Sequence, residues 1–361
     1  MSGLHFHPLR VRDLRADTDD ALVVSFDVPE GLRDSFAFQP GQYLTLRHVL
    51  DGEDLRRSYS ICAAAGEGLR VGVRRVNGGV FSNWLHQRLK PGDTIEVMEP
   101  QGRFGAAAAA AQPAAAPRHL LCIAGGSGIT PVLSIVKTAL ASEPGSRVTL
   151  LYGNRSAAST MFKEELEDLK NRHLTRLVLH PVFSREQVDS PLNTGRLDRD
   201  KVAQFLQLIG ADTVDQAFVC GPHAFNDEVE AALRAAGLAS ERIHVERFGV
   251  PPSAEDAALH VPREGDATTA RISVVRDGLT REVGFEPSDD SILAAASRAG
   301  MDVPFSCKSG VCATCRAKLL EGQVRMDRNF ALEKADLDAG FILTCQAHPL
   351  TERVVVSFDH R

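Results

Sequence analysis

Four cysteines near the C-terminal end of the chain have the spacing of a metal-binding loop. Cys307, Cys312 and Cys315 follow the pattern C-x4-C-x2-C, and Cys345 comes after 29 further residues. Four thiolates arranged in this way can hold two iron atoms bridged by two sulfides, and the spacing is the plant-type rather than the bacterial one. We therefore expect these cysteines to bind a [2Fe–2S] cluster.

The residues between the cysteines suit a loop that wraps a cluster closely. Ser309, Gly310 and Ala313 have small side chains, so backbone N–H groups can turn toward sulfur. A structural zinc site and disulfides are the alternatives. Zinc ribbons usually carry two C-x2-C pairs, whereas this chain shows one, and disulfides are rare in cytosolic proteins.

The composition limits the classes of protein to which the chain can belong. Its 361 residues predict two or three domains, and a net charge of -6 leaves no broad basic surface for nucleic acid or anionic lipid. The sequence shows neither an apolar run of membrane-spanning length nor a signal peptide, so we expect a soluble cytoplasmic protein. Cys62, Cys122 and Cys220 lie in or beside apolar segments and are predicted to be buried thiols.

Residues 1–105 have the pattern of an all-β domain. Short β-type runs are separated by turn residues such as Pro40-Gly41 and Pro91-Gly92, which predicts an antiparallel β-barrel. A single helix is predicted at 81–89. The predicted strands are 22–28, 43–46, 58–62, 69–76 and 94–97.

The rhythm changes after an alanine-rich segment, 106–117, which is interpreted as a loop or frayed helix between domains. In residues 117–249 apolar strands alternate with helical patterns, which predicts a parallel sheet wrapped by helices, an α/β nucleotide-binding domain. The predicted strands are 120–124, 148–152, 177–182 and 217–220, and the predicted helices are 132–140, 160–169, 198–208 and 226–236.

The last part of the chain reads as a linker and a small third domain. Residues 250–268 contain prolines and charges without an apolar period, which is typical of a linker. Residues 269–361 predict a hairpin at 270–275 and 280–285, a helix at 291–299 and a strand at 354–358. A mixed α+β unit of this size, with the cysteine loop inside it, suits a β-grasp ferredoxin domain.

Two stretches of the first domain could bind a nucleotide cofactor. In Arg57-Ser58-Tyr59-Ser60 the strand alternation places Arg57 and Tyr59 on one face, where a ring can stack on a heterocycle and a guanidinium can bind phosphate. The stretch Gly79-Val80-Phe81-Ser82 opens a helix whose first N–H groups can seat a pyrophosphate. Surface and core packing for the strand, and a plain first helical turn for Ser82, are the alternatives.

The second domain begins with a glycine turn between a strand and a helix. The turn reads Gly126-Ser127-Gly128-Ile129-Thr130-Pro131, with Thr130 predicted to cap the helix and Pro131 to be its first residue. This is a G-x-G-x-x-P rather than a G-x-G-x-x-G pattern, so a packing turn is the alternative to dinucleotide binding.

Two more strand ends of this domain carry polar or reactive residues. Arg155 and Ser156 stand where NAD enzymes usually carry an acidic residue, and they suit a 2'-phosphate, so NADPH is predicted in preference to NADH. Cys220-Gly221-Pro222 ends the last predicted strand, where ligands of open α/β sheets bind. Cys220 either faces a nicotinamide or fills the core. Glu246 and Phe248 close the domain, as flavin contacts or as packing residues.

Together these blocks resemble the ferredoxin-NADP reductase superfamily fused to a C-terminal plant-type ferredoxin. The resemblance rests on Arg-x-Tyr-Ser, Gly-Gly-Ser-Gly-Ile-Thr-Pro, the later Cys-Gly-Pro and the cysteine loop, and it covers essentially the whole chain. Within that group the blocks are most similar to the reductase subunits of bacterial phenylacetyl-CoA epoxidases.

The resemblance implies roles for the matching residues. Arg57 and Ser58 would lie at the flavin, with Arg57 on its pyrophosphate, Tyr59 on the isoalloxazine ring and Ser60 near its N5 atom. The FAD diphosphate would be held by Gly79, Val80, Phe81 and Ser82, and the pyridine nucleotide by Gly126, Gly128, Thr130, Cys220, Gly221 and Pro222. Ser60, Glu246 and Cys220 are the predicted catalytic residues, and Phe248 is a further predicted cofactor contact.

The implied function is an electron-transfer oxidoreductase that uses NADPH, FAD and a [2Fe–2S] cluster. FAD takes an electron pair, the cluster carries single electrons, and the implied partner is the diiron oxygenase of phenylacetyl-CoA epoxidase in phenylacetate degradation. A ring-hydroxylating oxygenase or a steroid hydroxylase is the alternative acceptor. A non-enzymatic zinc or scaffold protein is the alternative from another class.

Overall fold

The computed structural model describes residues 5–106, 116–249 and 260–360. The interpretations of the alanine-rich segment and of the linker therefore fall largely on residues outside the described ranges. The chain forms two compact units. One contains His7–Leu55 and Tyr59–Phe248, and the other is built mainly from residues 260–360.

The first domain is a six-stranded sheet whose two edge strands approach each other. Its strand order is β4-β3-β6-β1-β2-β5, and an antiparallel bridge between Ile61 and Val71 links the ends of the order. The predicted antiparallel barrel is confirmed. The strands are β1 (Phe6–Thr18), β2 (Ala21–Asp27), β3 (Tyr43–Leu50), β4 (Glu53–Ser60), β5 (Arg70–Arg74) and β6 (Thr94–Met98), and helix α1 spans Val80–Gln87.

Strand β2 shows why this domain packs against the next one. Leu22, Val24 and Phe26 point into the barrel core, whereas Ala21 and Val23 pack into the core of the second domain. Because both faces of the strand are covered, its side chains read as a continuous apolar run. Strand β1 was not predicted, since charged residues interrupt its apolar positions.

The second domain is a parallel sheet with helices on both faces. The strand order is β11-β10-β7-β8-β9, and every adjacent pair runs parallel. The strands are β7 (His119–Gly125), β8 (Arg147–Asn154), β9 (Leu177–Phe183), β10 (Gln216–Cys220) and β11 (Ile243–Glu246). The helices are α2 (Ile129–Ser142), α3 (Lys163–Arg172), α4 (Arg199–Ile209) and α5 (His223–Ala235).

Alternation along β7 builds the two apolar layers of this domain. Leu120 and Cys122 pack on the side of α2, and Leu121 and Ile123 pack on the side of α4 and α5. Successive strand side chains point to opposite faces, so one short strand supplies both cores. The predicted α/β domain is confirmed, and β11 is an additional strand.

The first and second domains meet closely at strand β5. A Cβ atom on Gly72 would lie 2.7 Å from Thr130 Cγ2 and 2.9 Å from Phe162 Cζ, so a larger residue would force the domains apart. Arg74 donates to the Ser159 carbonyl at 2.7 Å, and Arg70 pairs with Glu165. These contacts hold the two domains in one compact unit.

The C-terminal domain is a mixed sheet covered by one helix. The sheet order is β13-β12-β18-β14-β16, with β12 and β18 parallel and the other pairs antiparallel, and β15 and β17 form a separate two-stranded ribbon. The predicted α+β fold is confirmed. Its elements are β12 (Ala270–Arg276), β13 (Leu279–Phe285), α6 (Ile292–Arg298), β14 (Arg316–Glu321), β15 (Val324–Met326), α7 (Lys334–Asp338), β16 (Phe341–Leu343), β17 (Ala347–Pro349) and β18 (Arg353–Ser357).

Helix α6 is fixed at its start and along one face. The Ser291 hydroxyl accepts a hydrogen bond from the Ala294 N–H at 3.2 Å, which caps the helix. Ile292 and Leu293 are buried against the sheet. Among the described residues, no helix is both long and apolar enough to span a membrane.

Candidate functional site

The four cysteines of the predicted cluster site come together in the C-terminal domain. Cys307 hydrogen-bonds with Cys312, and Cys315 with Cys345. All seven cysteines of the chain lie in described residues and are free thiols, so the disulfide alternative is wrong. The fourth cysteine is tied to the third, because Thr344 donates from both its N–H (3.2 Å) and its hydroxyl (2.9 Å) to the Cys315 carbonyl.

The backbone of the cysteine loop takes left-handed conformations that turn N–H groups inward. Lys308 (φ 54°), Gly310 (φ 77°) and Ala313 (φ 53°) lie in this region, which is unusual for residues with a Cβ atom. The Ser309 N–H lies 3.4 Å from Cys307 Sγ. Strained backbone that points donors at sulfur is what a bound thiolate cluster requires.

Two of the four thiols, Cys307 and Cys345, favour the thiolate form, whereas the hydrogen bonds with these two thiols raise the pKa values of Cys312 and Cys315. The hydrogen bond with Cys312 and the N–H groups of Ser309 and Val311 lower the pKa of Cys307 to about 5. The hydrogen bond with Cys315 lowers the pKa of Cys345. Thiolates are the form that binds metal, so the donor set fits an iron–sulfur cluster.

Gln346 is a residue of this site that the sequence interpretation missed. Its amide Nε2 donates to the Lys308 carbonyl at 3.0 Å and lies 3.6 Å from Cys345 Sγ. It therefore links the fourth cysteine to the loop of the first. Its position directly after Cys345 was the only signal in the sequence.

The predicted flavin residues of the first domain lie on β4 and at the start of α1. Tyr59 is half-buried, with its ring centroid 6.2 Å from that of Phe81, and Ser60 is buried. Arg57 is exposed and donates to the Arg56 carbonyl at 2.7 Å, and Ser58 is half-buried. The Tyr59 ring and the exposed Arg57 guanidinium thus belong to residues that lie two positions apart on β4.

Helix α1 begins without a side-chain cap. Gly79 is the N-cap residue and has no side chain that could accept from the first-turn N–H groups, so these groups can face a ligand. Val80 is exposed and Phe81 is buried. The Ser82 hydroxyl accepts the Val76 N–H at 3.1 Å, so it stabilises the turn that precedes the helix.

The glycine turn of the second domain leads into α2 earlier than predicted. A short 3-10 turn, Gly126–Gly128, runs directly into the helix, which begins at Ile129 with Gly128 as its N-cap. The predictions that Thr130 caps the helix and that Pro131 is its first residue are wrong. The Thr130 hydroxyl is inside the first turn and donates to the Ser127 carbonyl at 3.0 Å.

This turn lies against the end of β10. A Cβ atom on Gly128 would be 2.0 Å from the Cys220 carbonyl oxygen and 2.8 Å from the Gly221 nitrogen. A Cβ atom on Gly125 would be 3.1 Å from Pro222 Cδ. Hence only glycine at position 128 allows the two predicted nucleotide-binding segments to approach each other.

Cys220 and Glu246 are paired neighbours on adjacent parallel strands. The Cys220 thiol is fully buried, and burial raises its pKa well above the ordinary value. Glu246 keeps part of its accessible surface, but its carboxyl group is surrounded by protein, and this desolvation raises its pKa to about 8. Both groups are therefore uncharged at neutral pH.

The hydrogen bond from Asn226 to Glu246 involves the backbone of Glu246 and not its carboxyl group. Asn226 Nδ2 donates to the Glu246 carbonyl at 2.9 Å, which ties β11 to α5. Phe248, two residues further on, has 45% of its surface exposed. An exposed aromatic ring beside this strand end suits a contact with a ligand more than core packing.

Arg155 and Ser156 follow β8 at the same edge of the sheet. Strand pairing brings a second arginine to them, since the Arg185 N–H donates to the Arg155 carbonyl at 2.8 Å. Both arginines are exposed. The sequence interpretation missed Arg185, which follows β9 and is separated from Arg155 by 30 positions.

Burial of Glu246 makes the stability of the protein depend on pH. The pKa of Glu246 is about 8 in the folded protein and 4.5 in the unfolded chain, so the folded state binds this proton more tightly. The contribution of Glu246 to the free energy of unfolding is therefore fully present below about pH 4.5 and is lost as pH rises through about 8. Glu246→Gln should remove this loss, on the order of 2–4 kcal/mol. The melting temperature of the variant should therefore exceed that of the wild type by more at pH 9 than at pH 5.

The control for this prediction is Glu241→Gln, at an exposed position five residues earlier. Its melting curve should track that of the wild type at both pH values. Parallel pH dependences of the Glu246→Gln variant and the wild type would contradict the assignment.

Three family models match the chain in order. They describe an oxidoreductase FAD-binding domain (residues 9–105), an oxidoreductase NAD-binding domain (122–231) and a 2Fe-2S iron-sulfur cluster binding domain (274–350). These matches agree with the predicted FAD, pyridine-nucleotide and [2Fe–2S] cofactors and argue against a zinc or scaffold protein.

Known proteins align with this chain over almost its whole length. One of the subunits of 1,2-phenylacetyl-CoA epoxidase from Escherichia coli is 45% identical, with 98% of each chain covered. The ferredoxin reductase component of 3-ketosteroid-9-alpha-monooxygenase from Rhodococcus rhodochrous is 35% identical, with 97% of this chain and 96% of the relative covered. The solved structure of phthalate dioxygenase reductase has the same fold, with a TM-score of 0.59, 23% identity and 98% of each chain covered.

The chain therefore belongs to the ferredoxin-NADP reductase superfamily, among the oxidoreductases that join FAD-binding, NAD-binding and [2Fe–2S] domains and act as reductase components of oxygenase systems.

Proposed function

We propose that the protein is an NADPH-dependent reductase that passes electrons through FAD and a [2Fe–2S] cluster to the diiron oxygenase of a phenylacetyl-CoA epoxidase. The observation that carries the electron-transfer part is the convergence of three free thiols of a loop with left-handed backbone and the free thiol of Cys345, in one chain with FAD-binding and NAD-binding domains. The partner is supported by the 45% identity to a component of such an epoxidase, compared with 35% for the ketosteroid enzyme.

Bound FAD supplies two-electron exchange with reduced nicotinamide, and a bound [2Fe–2S] cluster supplies one-electron transfer. In this proposal Tyr59 packs on the flavin ring, Ser60 lies beside it and Arg57 binds its pyrophosphate. The uncapped first turn of α1 offers N–H groups to the same diphosphate.

The pyridine nucleotide is proposed to bind between the glycine turn and the end of β10. The donors there are backbone N–H groups of the Gly126–Gly128 turn and of Cys220 and Gly221, which approach closely because position 128 has no side chain. The neutral Cys220 thiol and the protonated Glu246 carboxyl keep negative charge away from this edge.

The preference for NADPH is proposed to come from the arginines that follow β8 and β9. Arg155 and Arg185 are both exposed, and their backbones are hydrogen-bonded to each other. A guanidinium binds a phosphate through paired N–H groups, so two of them at one edge favour the 2'-phosphate of NADPH over the free hydroxyl of NADH. Ser156 adds a hydroxyl beside them, although it also forms a capping box with Ser159.

The cluster assignment is tested with Cys315→Ala. The variant should lose the cluster iron, about two atoms per chain in the wild type, because one thiolate ligand is missing. It should keep FAD and NADPH-driven reduction of ferricyanide while losing transfer to the oxygenase. Iron analysis, the visible spectrum and both assays measure this.

The matched control is Cys122→Ala, which removes a buried thiol from the second domain. This variant should retain the full iron content. An iron content of Cys315→Ala equal to that of the wild type would refute the ligand assignment.

The nucleotide preference is tested with Arg155→Glu. The ratio of kcat/KM for NADPH to that for NADH should fall by at least about tenfold, since a carboxylate repels the 2'-phosphate, and tenfold corresponds to about 1.4 kcal/mol. Arg172→Glu, an exposed arginine of α3 in the same domain, should leave the ratio unchanged. An unchanged ratio in Arg155→Glu would overturn the proposed role.

The partner is tested by reconstitution. Purified oxygenase subunits of a phenylacetyl-CoA epoxidase should consume phenylacetyl-CoA when this protein and NADPH are added, and should not do so without either. The oxygenase of the 3-ketosteroid enzyme is the comparison. Faster product formation with the ketosteroid oxygenase would reject the epoxidase as partner and retain the reductase activity.

A further inference from the structure

Three side chains of the C-terminal domain converge at a place separate from the cysteine loop. Asp327 follows β15, His348 is the central residue of β17, and His260 is the first described residue before this domain. The two strands form the small antiparallel ribbon, in which Arg325 lies opposite His348 in the strand register. The ribbon thus brings Asp327 and His348 together, and His260 joins them from a distant part of the chain.

The three groups offer ligand atoms at metal-binding separations. His348 Nε2 lies 2.8 Å and His260 Nδ1 lies 3.3 Å from the same oxygen, Asp327 Oδ2. One ligand atom from each residue lies within 4.8 Å of the other two. The side chains of Asp327 and His348 are 0% and 4% exposed, and that of His260 is 26% exposed.

One of these atoms has no hydrogen-bond partner among the described residues. His260 Nδ1 is buried, and its approach to Asp327 does not have hydrogen-bond geometry. The backbone N–H of His260 occupies Asp327 Oδ2 instead, at 3.0 Å. A buried ring nitrogen without a hydrogen-bond partner, beside a carboxylate and a second imidazole, is a candidate metal ligand.

The arginines around the cluster contact the other oxygen of the carboxylate, Asp327 Oδ1. Arg325 pairs with Asp327 Oδ1, but Arg325 is also neutralised by Asp266 at 2.6 Å. Arg263 lies 3.4 Å from Oδ1, and its side chain is 54% exposed. The charges of the two aspartates and the two arginines therefore cancel. Both guanidinium groups contact Asp327 Oδ1, whereas the histidines contact Oδ2.

We propose that His260, Asp327 and His348 bind one divalent transition-metal ion of the zinc class. Two imidazoles and one carboxylate suit zinc and its neighbours, whereas calcium and magnesium prefer oxygen ligands alone. Three protein ligands leave one position for water, on the side where His260 is partly exposed. The ion joins the segment at His260 to the β15–β17 ribbon.

Binding requires only a small adjustment of the cluster. Zinc ligands at about 2.0–2.1 Å in a tetrahedron lie roughly 3.4 Å apart, so the His348–Asp327 separation of 2.8 Å must open slightly. The metal takes the place of the Nε2 proton of His348. That proton is either released or carried by Nδ1 of the same ring.

The test measures zinc on the intact holoprotein. Protein with its full iron content is stripped of adventitious metal and titrated with zinc chloride against a chromophoric zinc indicator. One zinc per chain is expected in addition to the cluster iron. His260→Gln should weaken this binding by at least about tenfold, whereas His360→Gln, at an exposed position near the end of the chain, should not change it.

Two further readouts separate this site from the cluster cysteines. The iron content and visible spectrum of His260→Gln should match the wild type, and zinc-edge X-ray absorption should show nitrogen and oxygen ligands only. Absence of stoichiometric zinc in the wild type, sulfur ligands on the zinc, or equal affinity in His260→Gln would each overturn the proposal. The wild-type titration decides the question even where a variant fails to fold, and it does not depend on reductase activity.

Discussion

Four sulfur atoms, three from one tightly turned loop and one from Cys345, are the constraint on which the C-terminal domain depends. The loop must point N–H groups at the sulfurs, and it does so through left-handed backbone at Lys308, Gly310 and Ala313. That conformation costs free energy, which the surrounding contacts must offset. Thr344 and Gln346 supply them by bonding to Cys315 and Lys308, so the fourth cysteine and the loop of the first three form one rigid group.

A second constraint acts at the carboxyl edge of the parallel sheet. The turn after β7 and the end of β10 approach so closely that a single Cβ atom at Gly128 would overlap the Cys220 carbonyl. The same edge carries a buried thiol and a carboxyl group whose pKa is about 8, which remain neutral together. Close backbone approach and the absence of a full charge thus arise together at this edge.

The compact unit formed by the first two domains shows how the barrel and the parallel sheet are held against each other. Strand β2 is buried on both faces, and Gly72 of β5 allows Thr130 and Phe162 to pack directly on the barrel. The Arg70–Glu165 pair and the Arg74–Ser159 hydrogen bond add polar contacts around that apolar centre. Packing of this kind fixes the strand that carries Tyr59 relative to the turn that carries Gly126.

The sequence by itself determined the features that depend on neighbours in the chain. The cysteine spacing, the apolar alternation of β7 and the turn residues between the barrel strands were sufficient to predict three domains and their order. Tertiary structure alone decided the rest. Strand pairing brought Arg185 beside Arg155, residues 128 and 220 met across the sheet edge, and His260 met Asp327 and His348 through the β15–β17 ribbon. A local pattern reports periodicity and covalent spacing, whereas these contacts join residues that are far apart in the chain and become neighbours only when the backbone hydrogen bonds of the sheets have formed.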